Sequence, residues 1–200
     1  GLYPPALPGY SLTLEPLPYD PERARQLLAE SNYGGPDGLP PIVYTDGGIG
    51  TYINSDVAAL AEMWEQNLGV TITVENLEPN FFTEQVYAGN HGQLFSGGWC
   101  ADYPDPENFA DVLFHTGSQQ NGGGYSNPQL DALLEQARTE RDAPTRIALY
   151  QQAEQIIVDD AAALFTAHYL SYQLVKPYVK GYVYTPIDIP IERYMWLDGK

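Results

Sequence analysis

Residues 41–75, PIVYTDGGIGTYINSDVAALAEMWEQNLGVTITVE, decide the fold. Pro41 to Thr45 is short, β-branched and aromatic, which reads as a strand. Asn54, Ser55 and Asp56 each offer a side-chain acceptor for the start of a helix. Val57, Leu60, Ala61, Trp64 and Leu68 then recur at helical spacing, and Gly69 ends the run. Val70 to Glu75 alternates Val, Thr, Ile, Thr and Val, a second strand. A strand, a helix and a strand with short joints make a βαβ unit, expected to be parallel and right-handed. The fold class is therefore α/β: a mixed β-sheet with a βαβ core, flanked by helices.

On the N-terminal side, Asp20-Pro21 opens a helix, with Asp at the cap and Pro in the first turn. Ala24, Leu27 and Leu28 are its expected inward face, and Gly34-Gly35 its stop. The proline-rich run before it, Gly1 to Pro18, reads as extended. On the C-terminal side, Phe81–Ala88 suits a short helix and Gln93–Gly97 a third strand. Pro106–Phe114 suits another helix, and Thr116–Tyr125 an exposed loop. Asn127-Pro128 opens a helix with Leu130, Leu133, Leu134 and Ala137 inward. Ala143-Pro144 opens the next, with Ile147, Tyr150, Ile156 and Ile157 inward. Ala161–Leu170 and Tyr172–Val175 read as a strand pair or a strand and its return. From Lys176 onward the chain is aromatic, proline-punctuated and weakly structured. No internal repeat is visible.

The net charge is −17, from 9 basic and 26 acidic residues. Nucleic-acid binding needs clustered Lys and Arg, and anionic membranes attract the same residues, so neither is an expected partner. Solubility is the plain reading of the excess. Sixteen tyrosines suit a core and adaptable binding surfaces alike. Cys100 is the single cysteine, so no internal disulfide is expected and cysteine usage does not reveal the compartment. No apolar run reaches the length of a transmembrane helix, and no secretory leader is read in these residues.

The chemistry concentrates in Gly98-Trp99-Cys100-Ala101-Asp102-Tyr103-Pro104-Asp105-Pro106-Glu107-Asn108-Phe109. An indole, a carboxylate and a phenol follow a strand end and are stiffened by two prolines. The Trp99 face offers apolar area and attracts cations. Asp102 suits a charge-assisted hydrogen bond to a cationic ligand. The competing readings are a core Trp99 and a turn-forming Asp102. Cys100 reads as a small buried hydrophobe. Tyr103 suits either role, whereas Asp105 and Glu107 read as structural, with Asp105 placed to cap the helix after Pro106.

A glycoside hydrolase would use Asp102 with Asp105 or Glu107, but nothing fixes their separation. Cys100 with His91, His115 or His168 carries no nucleophile signature, and these residues have no zinc spacing. Pro104 and the absent glycine rule out an EF-hand loop. Gly47-Gly48-Ile49-Gly50 lacks the Lys-Ser/Thr of a phosphate loop and reads as a flexible loop at a cleft edge. The chain is therefore not expected to be an enzyme, and no cofactor or metal is expected.

The Gly-Trp-Cys-Ala-Asp-Tyr run at 98–103 resembles the signature of the family 5 extracellular solute-binding proteins, the oligopeptide and dipeptide receptors of ABC importers. The resemblance extends to Tyr19–Leu28, to Tyr125-Ser126-Asn127-Pro128 with Asp131–Leu134, to Leu149–Glu154 and to Val179–Tyr182. It implies the C-terminal lobe of a type II periplasmic-binding-protein-like receptor, and hence a piece of a longer chain. The implied organisation is an extended lead-in (1–18), an α/β ligand-binding lobe (19–175) and an extension returning toward an absent N-terminal lobe (176–200).

The implied function is peptide capture between two lobes by hinge closure, outside the cytoplasm, with permease subunits as partners. Any lipid anchor would lie outside these residues. The implied ligand contacts are Trp99, Cys100, Asp102 and Tyr103, with Asp102 meeting the α-ammonium group. Some relatives carry a basic residue three positions before the Trp, where this chain has Ser96, which weakens an expectation of short-peptide specificity. Oligosaccharide and nickel-complex ligands are the alternatives on the same scaffold.

Overall fold

The computed structural model describes residues 1–48, 52–184 and 192–199. The chain divides into two compact units: residues 17–98 with 119–125, and residues 1–16 with 99–118 and 126–200.

The first unit is built on a parallel three-stranded sheet. β1 (Ile42–Gly47) lies between β2 (Ile72–Leu77) and β3 (Leu94–Phe95). β1 pairs in parallel with β2 from Ile42↔Ile72 to Gly47↔Leu77, and with β3 at Tyr44↔Leu94 and Thr45↔Phe95. Parallel neighbours need a crossover, and α2 (Ser55–Leu68) supplies the one between β1 and β2. Its apolar stripe is the expected one: Val57 is buried, and Leu60, Ala61, Trp64 and Leu68 are partly so. Gly69 closes the helix at φ 69°, a left-handed conformation that costs glycine nothing. α3 (Pro79–Tyr87) starts on Glu78, whose carboxylate accepts the Asn80 and Phe81 N–H groups at 3.1 and 3.2 Å.

Two local expectations need correction in this unit. α1 (Pro21–Glu30) is capped by Asp20, which accepts from Arg23 N at 2.9 Å, but it buries no residue and Leu27 is exposed. Its stop is Ser31 rather than Gly34-Gly35, the serine hydroxyl donating to Leu28 O at 2.6 Å. The helix is tied down by Arg25, which donates to Asn67 O at 2.9 Å. In the Gly47–Gly50 stretch, Gly47 ends β1, while Ile49 and Gly50 lie outside the described residues.

The second unit is helical. α4 (Glu107–Phe114), α5 (Pro128–Thr139) and α6 (Ala143–Asp159) pack on one another. Asn127 caps α5, its side-chain oxygen accepting from Gln129 N at 2.9 Å and Leu130 N at 3.3 Å. Asp142 caps α6 through Thr145, and those bonds hold its carboxyl below the ordinary range. Leu130, Leu134 and Ala137 of α5 and Tyr150, Ala153 and Ile157 of α6 are fully buried. Each large apolar side chain among them contributes about 1.5–3 kcal/mol.

Tyr3 joins this core from the proline-rich start: it is fully buried, packs edge-on against Phe109 and donates its hydroxyl to Tyr150 O at 3.1 Å. The segments 161–170 and 172–175 form no strand. Leu164, Tyr169, Leu170, Tyr172 and Leu174 are exposed, and the two segments have no ladder partner among the described residues. The only ladder here is antiparallel, between β4 (Val179–Lys180) and β5 (Trp196–Leu197), among the described residues.

Glu154 of α6 is a buried carboxylate on which the chain start is hung. Its Oε1 accepts the Leu2 and Tyr3 N–H groups at 2.7 and 3.1 Å, whereas the buried Oε2 has no hydrogen-bond partner among the described residues. Burial raises its pKa, and the two backbone donors oppose that only in part. The folded state therefore holds this proton more tightly than the unfolded chain. Its favourable contribution is present below the ordinary value of 4.5 and is lost as pH rises through the raised one. Glu154→Gln keeps an acceptor for both N–H groups without the charge. The melting temperature of the variant is expected to gain on that of the parent sequence between about pH 4 and pH 7. A difference that stays constant across that range contradicts the account.

Candidate functional site

Asn108, in the first turn of α4, is the main link between the helix and the aromatic–acidic loop. Asn108 is 2% exposed, and its Oδ1 accepts from the Trp99 indole Nε1 at 3.1 Å and from the Asp102 backbone N at 2.9 Å. Its Nδ2 donates to Asp102 Oδ2 at 3.3 Å. Trp99 is half-buried, with its ring edge fixed to α4. Asp102 is exposed, and its Oδ1 makes no hydrogen bond among the described residues. The Tyr103 hydroxyl donates to Glu107 Oε2, and that bond pushes the phenol above its ordinary pKa.

Asp105 does the structural work expected of it. Its Oδ1 accepts from Glu107 N at 2.9 Å, satisfying one free N–H of the first turn of α4. Its two oxygens also take a forked pair from Arg146 of α6, at 2.7 and 2.9 Å. The same guanidinium donates to Ala137 O at 3.1 Å and lies over the Tyr150 ring, 4.9 Å from its centroid. One α4 turn beyond Asn108, Asp111 is 4% exposed and takes a second fork from Arg138, both bonds at 2.6 Å. Planar guanidinium forks of this kind fix geometry as well as charge. Two arginines thus clamp the loop–α4 junction onto α5 and α6.

Cys100 corrects the sequence reading: it is exposed, not buried. Trp99 takes the inward bond, and the neighbouring thiol is left facing out. Trp99, Asp102 and Tyr103 are brought together around α4. The residues that hold them, Asn108, Arg146 and Arg138, were not singled out from the sequence. Glu107 and Asp105 are engaged in these bonds.

In the sheet unit, Ser96 follows β3 and donates to Asp46 Oδ1, while Asn54 donates to Asp46 Oδ2 at 2.8 Å. Asp46 is 2% exposed at the carboxyl end of β1. A groove of about 420 Å³ on the helical unit is lined by Gln129, Leu133, Gln152 and Ile156 among others, and by none of the signature residues.

The profile described as "Bacterial extracellular solute-binding proteins, family 5 Middle" matches residues 1–121. The chain is 30% identical over 178 residues to the periplasmic oligopeptide-binding protein OppA of Escherichia coli K12, covering 88% of this chain and 32% of the relative. It is 31% identical over 208 residues to heme-binding protein A of Haemophilus influenzae, covering 98% of this chain and 36% of that protein. The structure of the Escherichia coli murein tripeptide binding protein MppA superimposes with a TM-score of 0.76 at 28% identity, over 98% of this chain and 39% of that one. The chain spans about a third of the length of the curated relatives it matches. Its fold is that of the periplasmic binding proteins. The chain belongs to the family 5 bacterial extracellular solute-binding proteins.

Proposed function

We propose that this chain is one lobe of the substrate-binding component of an ABC importer, whose parent receptor takes peptides in a cleft between two lobes and closes on them about a hinge. The observation that carries the reading is the Trp99–Asp102 pair, an aromatic wall and an exposed carboxylate held together on Asn108. An extended peptide gains affinity from backbone hydrogen bonds and register from end groups and pockets. Asp102 Oδ1 meets the α-ammonium group, Trp99 walls the first residue, and Cys100 and Tyr103 contribute along the backbone. The net charge of −17 favours a ligand with a cationic end.

Binding that uses both lobes favours the closed form, which permease subunits then distinguish from the open one. No covalent chemistry is assigned to the lobe. The setting is extracytoplasmic, either periplasmic or at the cell surface through a lipid anchor outside these residues. Because half the contacts belong to the other lobe, this chain alone is expected to show no calorimetric binding to short peptides that the parent receptor takes up. Micromolar binding by the isolated chain contradicts a shared cleft, and peptide titrations of the parent receptor that show no binding contradict the peptide reading.

A further inference from the structure

We infer that Asn108 is the positioning residue of the ligand site, setting Trp99 and Asp102 as one rigid unit; this rests on the proposal that those two residues meet the ligand. Two N–H donors, from the indole and from the Asp102 backbone, converge on a single oxygen, which fixes the orientation of the amide plane. That orientation aims the NH2 group at Asp102 Oδ2. Asn108 is itself fixed, because its backbone N donates to Asp105 O at 3.2 Å and Asp105 is clamped by Arg146. At 2% exposure, none of its three side-chain bonds is freely exchanged with water.

The task needs an amide. It requires an oxygen with two lone pairs and a donor on the same rigid plane, which a hydroxyl this short does not offer and a carboxylate does not have. An aspartate here would keep both acceptor bonds but set a second negative charge against Asp102. The amide also decides which face of Asp102 is offered: Oδ2 is held inward and Oδ1 is left outward. The site therefore presents one oriented carboxylate oxygen beside an indole wall, a geometry that fits a single primary ammonium group. Holding both groups before the ligand arrives removes the ordering cost from binding.

The test uses the intact parent receptor, 15N-labelled, with the Trp99 indole resonance assigned through Trp99→Phe. Asn108→Ala is expected to shift that resonance and to weaken a free-amine tripeptide about tenfold, and its N-acetylated counterpart, which keeps only the Trp99 contact, by less. Asn108→Asp is expected to keep the indole in its hydrogen-bonded position while making free-amine binding pH-dependent, as two facing carboxylates titrate against each other. A purely structural Asn108 would lower the melting temperature of both variants and leave the indole resonance and the amine selectivity of the folded protein unchanged. That result overturns the inference alone if Asp102→Asn still weakens the free-amine peptide. If Asp102→Asn has no effect on it, the ligand reading fails, and this inference fails with it.

Discussion

Asp102→Asn in the parent receptor is expected to weaken a peptide with a free amino terminus by about 1.5–3 kcal/mol, and to leave the N-acetylated peptide unaffected. The substitution is nearly isosteric, so a change in shape does not account for a loss. It removes the charge from a side chain whose Oδ2 is bonded to Asn108 and whose Oδ1 has no protein partner among the described residues. The loss is worth more than that of a neutral hydrogen bond because an ammonium–carboxylate contact is charge-assisted on both sides. Its size is capped because Asp102 is exposed in this chain, where water screens it, and the figure applies once the second lobe has covered it. Calorimetry with the peptide pair reads both terms. An equal loss for the acetylated peptide removes the ammonium from the account.

The second large effect is on stability. Arg138→Met is expected to cost about 3 kcal/mol, because it keeps the apolar stem but leaves Asp111 buried without its counter-charge. Asp111 is 4% exposed and receives both of its bonds at 2.6 Å from this guanidinium, whose own pKa is raised by the contact. The cost sits at the lower end for a broken buried pair, since the Arg138 side chain is 44% exposed and its removal lets some water reach the carboxylate. The double variant Asp111→Leu with Arg138→Met is expected to recover much of the loss, because no charge is then stranded. Denaturant unfolding of the four proteins measures the coupling. Simple additivity would show that the pair does not act as a unit. The pair matters to the site because Asp111 lies one turn along α4 from Asn108.

The parts of this fold that were legible in the sequence are those set by local rules. The stripe Val57–Leu68 and its Gly69 stop follow helical periodicity, and the alternation after it marks β2. Asp20-Pro21 and Asn127-Pro128 open helices where their cap chemistry says they should. What was not legible depends on distance in sequence. Asp105 and Arg146 are 41 residues apart, and Asp111 and Arg138 are 27 apart, so neither fork leaves a local pattern. Tyr3 reaches the helical core from a segment with no periodicity.

At the site, the resemblance marked Trp99 and Asp102 as candidates, and the structure joins them. Asn108 was hidden because a polar residue early in a helix is usually solvated. A clue was present in its position just after a Pro-Asp-Pro turn, which folds the loop back over the first turn of α4. Cys100 was misread because cysteine burial is a tendency of composition, and here its neighbour Trp99 fills the inward position. The segments 161–170 and 172–175 were misread as strands because a strand needs a ladder partner as well as suitable residues.

The proposed role of the parent receptor is to carry peptides with a free amino terminus. It is tested most directly by purifying that receptor intact, denaturing it, and identifying the released small molecules by mass spectrometry. The account predicts peptides with unmodified amino termini, depleted from the Asp102→Asn receptor. Release of sugar, metal chelate or heme in place of peptide would contradict it.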